Sequence, residues 1–137
     1  MQVIMALDDN SGLMFNKRRQ SQDRVLREHI ANLLNGHKLY MNEYSYKMFA
    51  DVDMNIVVDE NFLTLAKEED YCFVENSEIL SHLDKVNSFY IYKWNRVYPA
   101  DQKFDVDLAA KGWSMSVIAE FAGSSHEKIT LEEWRHA

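Results

Sequence analysis

Short apolar runs and amphipathic stretches alternate along the first hundred positions. Gln2–Leu7 is apolar and is followed by turn residues at 8–12, which is typical of a buried strand that leads into a turn. From about Ser21 the apolar positions recur at three-to-four spacing, which predicts a helix capped by Ser21 and ended at Gly36. The same patterns predict strands at 38–41, 55–58 and 71–74, and helices at 43–49, 61–67 and from Asn76 or Ser77 to about Leu83.

The stretch after position 88 shows no clear helical period. Residues 88–94 are aromatic and β-prone, 112–121 predict a further strand, and 128–136 predict a final strand or a short helix. Thr130 and Glu133 fit a capping box, which favours a helix in that last segment. Strands separated by helices imply parallel pairing, whereas a helix-free stretch adds antiparallel strands at one side. The sequence therefore predicts a single α/β domain over 1–137, with three layers in which helices flank a mixed, mostly parallel sheet.

The composition is that of one ordered domain. The chain has 137 residues, 47% of them hydrophobic, with one proline and four glycines, so disorder is a poor description. Cys72 is the one cysteine, which rules out an internal disulfide, and residues 1–10 do not resemble a signal peptide. No apolar run reaches the roughly 18 residues that span a bilayer. We therefore expect a cytoplasmic protein with no membrane segment.

Charge narrows the range of partners. The formal net charge is −7, which disfavours broad adhesion to nucleic acid or to anionic membranes. Five of the 15 basic residues nevertheless fall within 17–27, and Arg18 and Arg19 precede a helix start that itself favours negative charge. With Arg24, they are candidate ligands of an anion. The alternative is a solvated loop that offsets an acidic surface.

Several short segments, which together run along almost the whole chain, resemble the dihydrofolate reductase family. They are Val-Ile-Met-Ala-Leu-Asp at 3–8 with Gly-Leu at 12–13, the long helix, Lys-Leu-Tyr-Met at 38–41 with Tyr-Ser-Tyr at 44–46, Asn-Ile-Val-Val at 55–58, Cys-Phe-Val at 72–74, and Phe-Tyr-Ile-Tyr at 89–92 leading through Asp101 and Phe104 to Trp113. The resemblance implies a dihydrofolate reductase-like fold and, in that family, a site for NADPH and folate.

The chain departs from this family where the cofactor would bind. The family holds the NADPH phosphates on helix starts that are opened by Met-Gly and Gly-Gly steps, and the matching positions here are Met41-Asn42 and Glu75-Asn76. Glu43 and Glu75 would place carboxylates against a dianion. The Pro-Trp pair that precedes the long helix in the family is missing here. The position of the family's folate-binding carboxylate corresponds to Leu26 or, if the alignment is shifted by a few residues, to Asp23. We expect no reductase activity and no cofactor.

A second resemblance is to short bacterial proteins labelled ribonuclease Z. It is carried by residues 14–24, 94–101 and 121–128. Ribonuclease Z enzymes have a metallo-β-lactamase fold and hold two metal ions with a His-x-His-x-Asp-His motif, which needs several closely placed ligands. The five histidines here are His29, His37, His82, His126 and His136, no two of them within five positions. We therefore expect no metal site, and we expect the label not to describe the chemistry.

Three polar segments carry the other candidate site residues. The turn at 123–128 contains hydroxyl, imidazole and carboxylate groups, so we consider His126 and Glu127, with Asp23, as catalytic candidates. The alternative is a plain polar turn, because neighbours in sequence rarely face one another. The remaining ligand-binding candidates are Ser124 and Ser125 in that turn, Asn95 and Arg96 after an aromatic strand, and Glu75 and Asn76 at the carboxyl end of a strand.

Three hypotheses about function follow from these residues. The first is a protein without reductase activity that binds a phosphate-bearing small molecule or RNA in a cleft lined by Arg18, Arg19, Asp23, Glu75 and Asn76. The second is an RNA phosphodiesterase with His126 and Glu127 as acid and base. The third is a non-enzymatic interaction protein that works as a homodimer or through a partner surface.

Overall fold

A computed structural model describes residues 1–136 and contains ten strands and three α-helices. The strands are β1 (Gln2–Leu7), β2 (Gly12–Phe15), β3 (Arg18–Arg19), β4 (Leu39–Met41), β5 (Ile56–Val58), β6 (Tyr71–Phe73), β7 (Ser88–Lys93), β8 (Gln102–Lys103), β9 (Trp113–Phe121) and β10 (Ile129–His136). The helices are α1 (Arg24–Leu34), α2 (Glu43–Phe49) and α3 (Phe62–Leu65), with a 3₁₀ helix at Leu80–Lys85. No helix in this part of the chain is long and apolar enough to cross a membrane.

Seven strands form the main sheet in the order β5-β4-β6-β1-β7-β10-β9. The first five pair in parallel, and β10 joins β7 and β9 in antiparallel pairs. This confirms the expected mixed, mostly parallel sheet with its antiparallel additions at one side. A second sheet, in the order β3-β2-β8, was not expected, since two of its strands have only two residues.

Helices and loops cover both faces of the central strands β1, β6 and β7 of the main sheet, which confirms the three-layer arrangement. Side chains alternate along a strand, so Val3 faces one core while Ile4 faces the other. Leu26 of α1 and Phe49 of α2 pack on the Ile4 side, and Phe62 of α3 packs on the Val3 side. Burial of these apolar side chains on both faces stabilises the domain.

Two segments with local helix signals are decided by tertiary contacts. Residues 128–136 contain the strand of the two predicted alternatives and not the helix that the capping box favoured, because β10 pairs with β7 on one side and with β9 on the other. The helix expected near 76–83 is instead the 3₁₀ helix Leu80–Lys85. The carboxylate of Asp105, from a distant part of the chain, accepts from the amides of Ile79 and Leu80 at 3.1 and 3.0 Å.

The residue that caps the start of α1 also differs from the predicted one. Asp23, and not Ser21, is the N-cap, and its Oδ1 accepts from the amide of Val25 at 2.9 Å. At the other end Asn35 adopts the left-handed conformation with φ 47° and closes the helix. The shift of the cap by two residues leaves the Ser21 hydroxyl available for another partner.

Candidate functional site

Asp23 and His126 form a buried pair in the interior of the domain. Nδ1 of His126 lies 2.9 Å from Oδ2 of Asp23, and the two side chains are 1% and 0% exposed. A carboxylate can only accept, so Nδ1 of His126 donates the hydrogen bond. Asp23 is held in place as the N-cap of α1, and His126 is held by the turn between β9 and β10.

The Asp23 carboxylate also binds the turn that carries His126. Its Oδ1 accepts from the amide and the hydroxyl of Ser124 at 2.9 and 3.1 Å, and its Oδ2 accepts from the amide of Ser125 at 2.8 Å. Burial by itself would raise the pKa of Asp23, but the hydrogen bonds from His126 and from the Ser124, Ser125 and Leu26 amides hold that pKa well below its ordinary value. Asp23 is therefore a buried, ionised carboxylate.

The second ring nitrogen of His126 meets two hydroxyl groups. Nε2 lies 3.0 Å from the Ser21 Oγ and 3.1 Å from the Tyr98 hydroxyl. With the proton on Nδ1, Nε2 of the neutral ring has one lone pair and can accept from either of these hydroxyls. The ring also stacks on Trp94 at 4.4 Å between centroids and 23° between planes. Ser21, His126 and Asp23 are thus aligned as hydroxyl, imidazole and carboxylate.

Arg19 and Glu75 form a second polar cluster nearby. Nε of Arg19 donates to Oε2 of Glu75 at 2.8 Å, and a terminal nitrogen donates to Oε1 at 3.1 Å. Oε1 also accepts from the Ser45 hydroxyl at 2.8 Å, and the guanidinium lies 4.5 Å from the ring centre of Tyr44. Burial by itself would lower the pKa of Arg19, but Glu75 outweighs it and raises that pKa. The charge of Arg19 is therefore neutralised within the protein.

These two clusters fill the cleft that the sequence suggested as a ligand site. Two cavities of about 10 Å³ each remain there, and Ser21, Glu75 and Trp94 line both of them. A volume of this size holds about one water molecule. Arg19, Asp23 and Glu75 lie in the two adjoining clusters, but Arg19 binds Glu75 and Asp23 binds His126, which leaves no room for a nucleotide in this conformation.

A larger groove, which we call the hairpin groove, opens on the other side of β3. Its volume is about 540 Å³, and it is lined by Phe15, Asn16, Arg18, Arg19, Gln20, Tyr98 and Pro99. Asn16 and Lys17 both have positive φ angles of 51° and 61°, which make the tight turn between β2 and β3. Of the expected anion ligands, Arg18 is the one that is exposed in this groove.

Hydrogen bonds fix the two walls of the hairpin groove to each other. The Gln20 amide nitrogen donates to the carbonyl of Pro99 and to Oδ2 of Asp8, both at 3.2 Å. Oδ2 of Asp8 also accepts from the Tyr98 amide at 3.0 Å. Burial by itself would raise the pKa of Asp8, but the amides of Tyr98, Gly12 and Asn10 outweigh it and lower that pKa. The groove is therefore preformed.

The positions that match the family's NADPH-binding steps do not fit that cofactor. The side chain of Asn42 donates to that of Asn76 at 2.8 Å and caps α2 by accepting from the amide of Ser45 at 3.0 Å. The Glu43 amide donates to a carboxylate oxygen of Glu60 at 2.9 Å. At the first of the two steps, the amides of Glu43 and Ser45 thus already bind oxygens of this chain.

The remaining candidates are spread over the surface and the turns. Arg24 is exposed and pairs with Glu28 at 2.9 Å, with side chains 63% and 56% exposed. Asn95 has φ 60°, and its amide nitrogen donates to the Lys128 carbonyl at 3.0 Å. Arg96 and Glu127 are exposed. The structure therefore brings His126 to Asp23 and leaves Glu127 apart from them.

Ser21 and Tyr98 are contacts of His126 that sequence reasoning did not select. Ser21 was predicted as a helix cap, and Tyr98 was not selected as a site residue. A signal was present, because the three segments that carry the second resemblance contain Ser21, Asp23, Tyr98 and His126. That resemblance itself stays a prediction. Among residues 1–136 no three histidine, cysteine or acidic side chains are grouped so that they could hold a metal ion.

The strand order and the helices on both faces define a dihydrofolate reductase-like fold. Among solved structures, a dihydrofolate reductase from Enterococcus faecalis complexed with NADP(H) and RAB-propyl matches 98% of this chain and 95% of its own, with a TM-score of 0.63. The two sequences are 7% identical, so the likeness shows the fold alone. No protein-family model matches the chain, and no curated protein matches it.

Proposed function

We propose that this protein binds a nucleotide, either free or at an end of an RNA strand, in the hairpin groove and without reductase chemistry. One observation carries the proposal: the groove joins an exposed basic side chain, Arg18, to the rings of Phe15 and Tyr98. Its volume of about 540 Å³ falls within the size range of small-molecule sites.

Each part of such a ligand has a matching group in the groove. Phe15 is 42% exposed, so a base can stack on its ring. Arg18 can donate two parallel hydrogen bonds to a phosphate. Arg19 does not compete for the phosphate, because Glu75 already neutralises its charge. The phosphate contact is therefore assigned to Arg18.

The charge of the protein determines what kind of binding to expect. At a net charge of −7 the long-range field repels polyanions, so the affinity must come from the few groups in the groove. Each phosphate contact to a single strand adds about −0.7 to the slope of log K against log salt. A single contact to Arg18 therefore predicts a shallow salt dependence, unlike that of a protein that coats nucleic acid.

The test is a fluorescence anisotropy titration of a short single-stranded RNA that carries a 5′-phosphate and a 3′ label. Arg18→Ala should raise the Kd about tenfold or more, since a charge-assisted hydrogen bond contributes about 1.5–3 kcal/mol. Arg24→Ala is the matched control, because Arg24 is a neighbouring exposed arginine that does not line the groove. It should leave the Kd unchanged.

Competition distinguishes the two sources of the ligand. Displacement of the RNA by AMP indicates a free nucleotide, and displacement only by phosphorylated RNA indicates a strand end. If adenosine displaces the RNA as well as AMP does, the phosphate does not contribute to binding and the role proposed for Arg18 is wrong. No binding by the wild-type protein, or equal Kd values for wild type and Arg18→Ala, would overturn it.

A second candidate function is hydrolysis of a phosphodiester, with His126 as the base. The observation that favours it is the alignment of Ser21, His126 and Asp23 at 3.0 and 2.9 Å. Ser21 Oγ would attack phosphorus and pass its proton to Nε2 of His126, which gives it to the leaving oxygen. A water would then attack the phosphoseryl group and pass a proton to Nε2, and the Ser21 Oγ would take that proton as the Oγ–P bond breaks. Because the adjoining cavities hold about one water, this reaction needs the Arg19 to Glu75 pair to separate.

The second candidate has its own test. Wild-type protein and Ser21→Ala, His126→Ala and Glu127→Ala variants are incubated with labelled RNA, and the products are resolved by gel electrophoresis. Loss of cleavage in the Ser21 and His126 variants, with retention in the Glu127 variant, supports the candidate. Undiminished cleavage by His126→Ala rules it out.

A further inference from the structure

The two edges of the main sheet are built differently. One edge is β5, which has three residues and is flanked by acidic side chains at 53, 59 and 60. The other edge is β9, which has nine residues and pairs with β10 on one side. Short strands and nearby charges are the usual means by which proteins block edge pairing. β5 has both of these protections, and β9 has neither along most of its length.

The exposed side chains of β9 are apolar or small. Met115, Val117 and Ile118 are 44%, 52% and 46% exposed, and Ser114 and Ser116 lie between and beside them. No charged residue occurs from 113 to 119. Five consecutive exposed residues at 114–118 show that both faces of the sheet are uncovered here. An exposed apolar group of this kind on an acidic protein is typical of an interaction surface.

The backbone of β9 is suited to accept another strand. In a strand that is paired on one side, alternate residues direct their amide and carbonyl groups toward the open side. Residues 113–117 pair with β10 in continuous register, and the shift in register occurs opposite Leu131 and Glu132, beyond Val117. The regular part of the edge therefore coincides with the uncharged part.

We propose that the protein forms a homodimer in which β9 pairs antiparallel with β9 of a second copy across a two-fold axis. A second copy fits this edge because the strand is its own complement: it offers alternating hydrogen-bonding groups and apolar side chains to an identical set. Two molecules of charge −7 repel each other, and they approach with least repulsion through the uncharged segment 113–119 of β9. The two main sheets then form one continuous sheet.

This inference is independent of nucleotide binding. The hairpin groove is formed by the β2 to β3 hairpin and the segment at 98–99, and no residue of β9 lines it. Failure of one proposal therefore does not contradict the other, because RNA binding and the monomer–dimer equilibrium are measured separately.

The test is sedimentation equilibrium of the full chain over a range of concentrations. Val117→Lys should raise the dimer Kd about tenfold or more, because the substitution places like charges near each other across the new strand pair. Val58→Lys is the matched control, since Val58 is 37% exposed and lies in the opposite edge strand β5. It should leave the dimer Kd unchanged, and circular dichroism should show both variants folded.

A second variant keeps the test decisive if Val117→Lys has a small effect. The double variant Met115→Lys, Val117→Lys adds a second pair of charges within the uncharged segment and should be monomeric at every concentration at which the wild type is a dimer. A wild-type protein that is monomeric throughout would overturn the proposal. A dimer that persists in the double variant would also overturn it, and so would a dimer that Val58→Lys disrupts while Val117→Lys does not.

Discussion

The carboxylate of Asp23 lies 2.9 Å from Nδ1 of His126, although the two residues are 103 positions apart in the chain. Through this pair the first turn of α1 is joined to the turn between β9 and β10. The same carboxylate accepts from the amides of Val25, Ser124 and Ser125. A single buried side chain thus supports both a helix start and a turn at the other end of the sequence.

Removal of this carboxylate should destabilise the fold strongly. Asp23→Ala leaves buried amides and the His126 ring without their acceptor, and we expect a loss of about 3–5 kcal/mol in the free energy of unfolding. Urea denaturation measures it. Asp51→Ala, at an exposed acidic position, is the control and should change stability by no more than about 0.5 kcal/mol. A similar small change for Asp23→Ala would contradict the role assigned to the pair.

Acid should weaken the contribution of Asp23. The pKa of this carboxyl is lower in the folded protein than its ordinary value of 3.8, so the stability that it contributes is fully present above about pH 4–5 and is lost as the pH falls toward the folded pKa. The difference in unfolding free energy between wild type and Asp23→Asn should shrink as the pH falls below about 4. Urea titrations at several pH values measure it. A difference that grows on acidification would contradict the direction of the shift.

Arg19 and Glu75 should be energetically coupled. A double-mutant cycle with alanine at each position should give a coupling free energy of about 0.5–3 kcal/mol, because the pair is bidentate and mostly buried. The exposed pair Arg24 and Glu28 is the matched control, for which about 0.3–0.5 kcal/mol is expected. Equal coupling in the two cycles would show that Arg19 remains available for a ligand.

Gly123 should tolerate no side chain beside Asp23. A Cβ at this position would lie 2.4 Å from Oδ2 of Asp23 and 2.9 Å from a methyl carbon of Ile129. We therefore expect Gly123→Ala to destabilise the protein by about 1–3 kcal/mol in thermal or urea unfolding. In an Asp23→Ala background the substitution should have a smaller effect, since the contact is gone. Additive effects would place the cause elsewhere.

Cys72 should be unreactive in the native protein. Burial raises the pKa of its thiol to about 12, and the thiolate is the form that attacks. A thiol reagent such as a disulfide dye should modify Cys72 slowly at neutral pH and at once when guanidinium is added. The Cys72→Ala variant gives the background signal. Rapid modification of the folded wild type would indicate that β6 opens readily.

The local pattern of the sequence predicted most of the main elements within a few residues. The apolar run at Gln2–Leu7 is β1, and the three-to-four spacing after Ser21 gave α1, which begins at Arg24. These elements were predictable because their periodicity records which face is buried. β2 was not predicted, and neither were β3 and β8, because a strand of two residues has no period to detect.

The candidate site was predicted as a set of residues and not as an arrangement. Arg19, Asp23, Glu75 and His126 were all selected from the sequence, and the structure places them in two adjoining clusters. The sequence could not show that Glu75 neutralises Arg19. That contact depends on the position of β3 relative to the end of β6, 56 residues later in the chain.

By itself the sequence determined the α/β class and the absence of the glycine steps of the dihydrofolate reductase family, because these depend on composition and on the order of residues along the chain. Only the tertiary structure decided that the cleft is filled, that Ser21 contacts His126 and that β9 is an edge strand of the main sheet. These features depend on strand order and register, which bring distant segments together. A linear pattern specifies which side chains are buried, but their partners follow only from the way in which the whole chain packs.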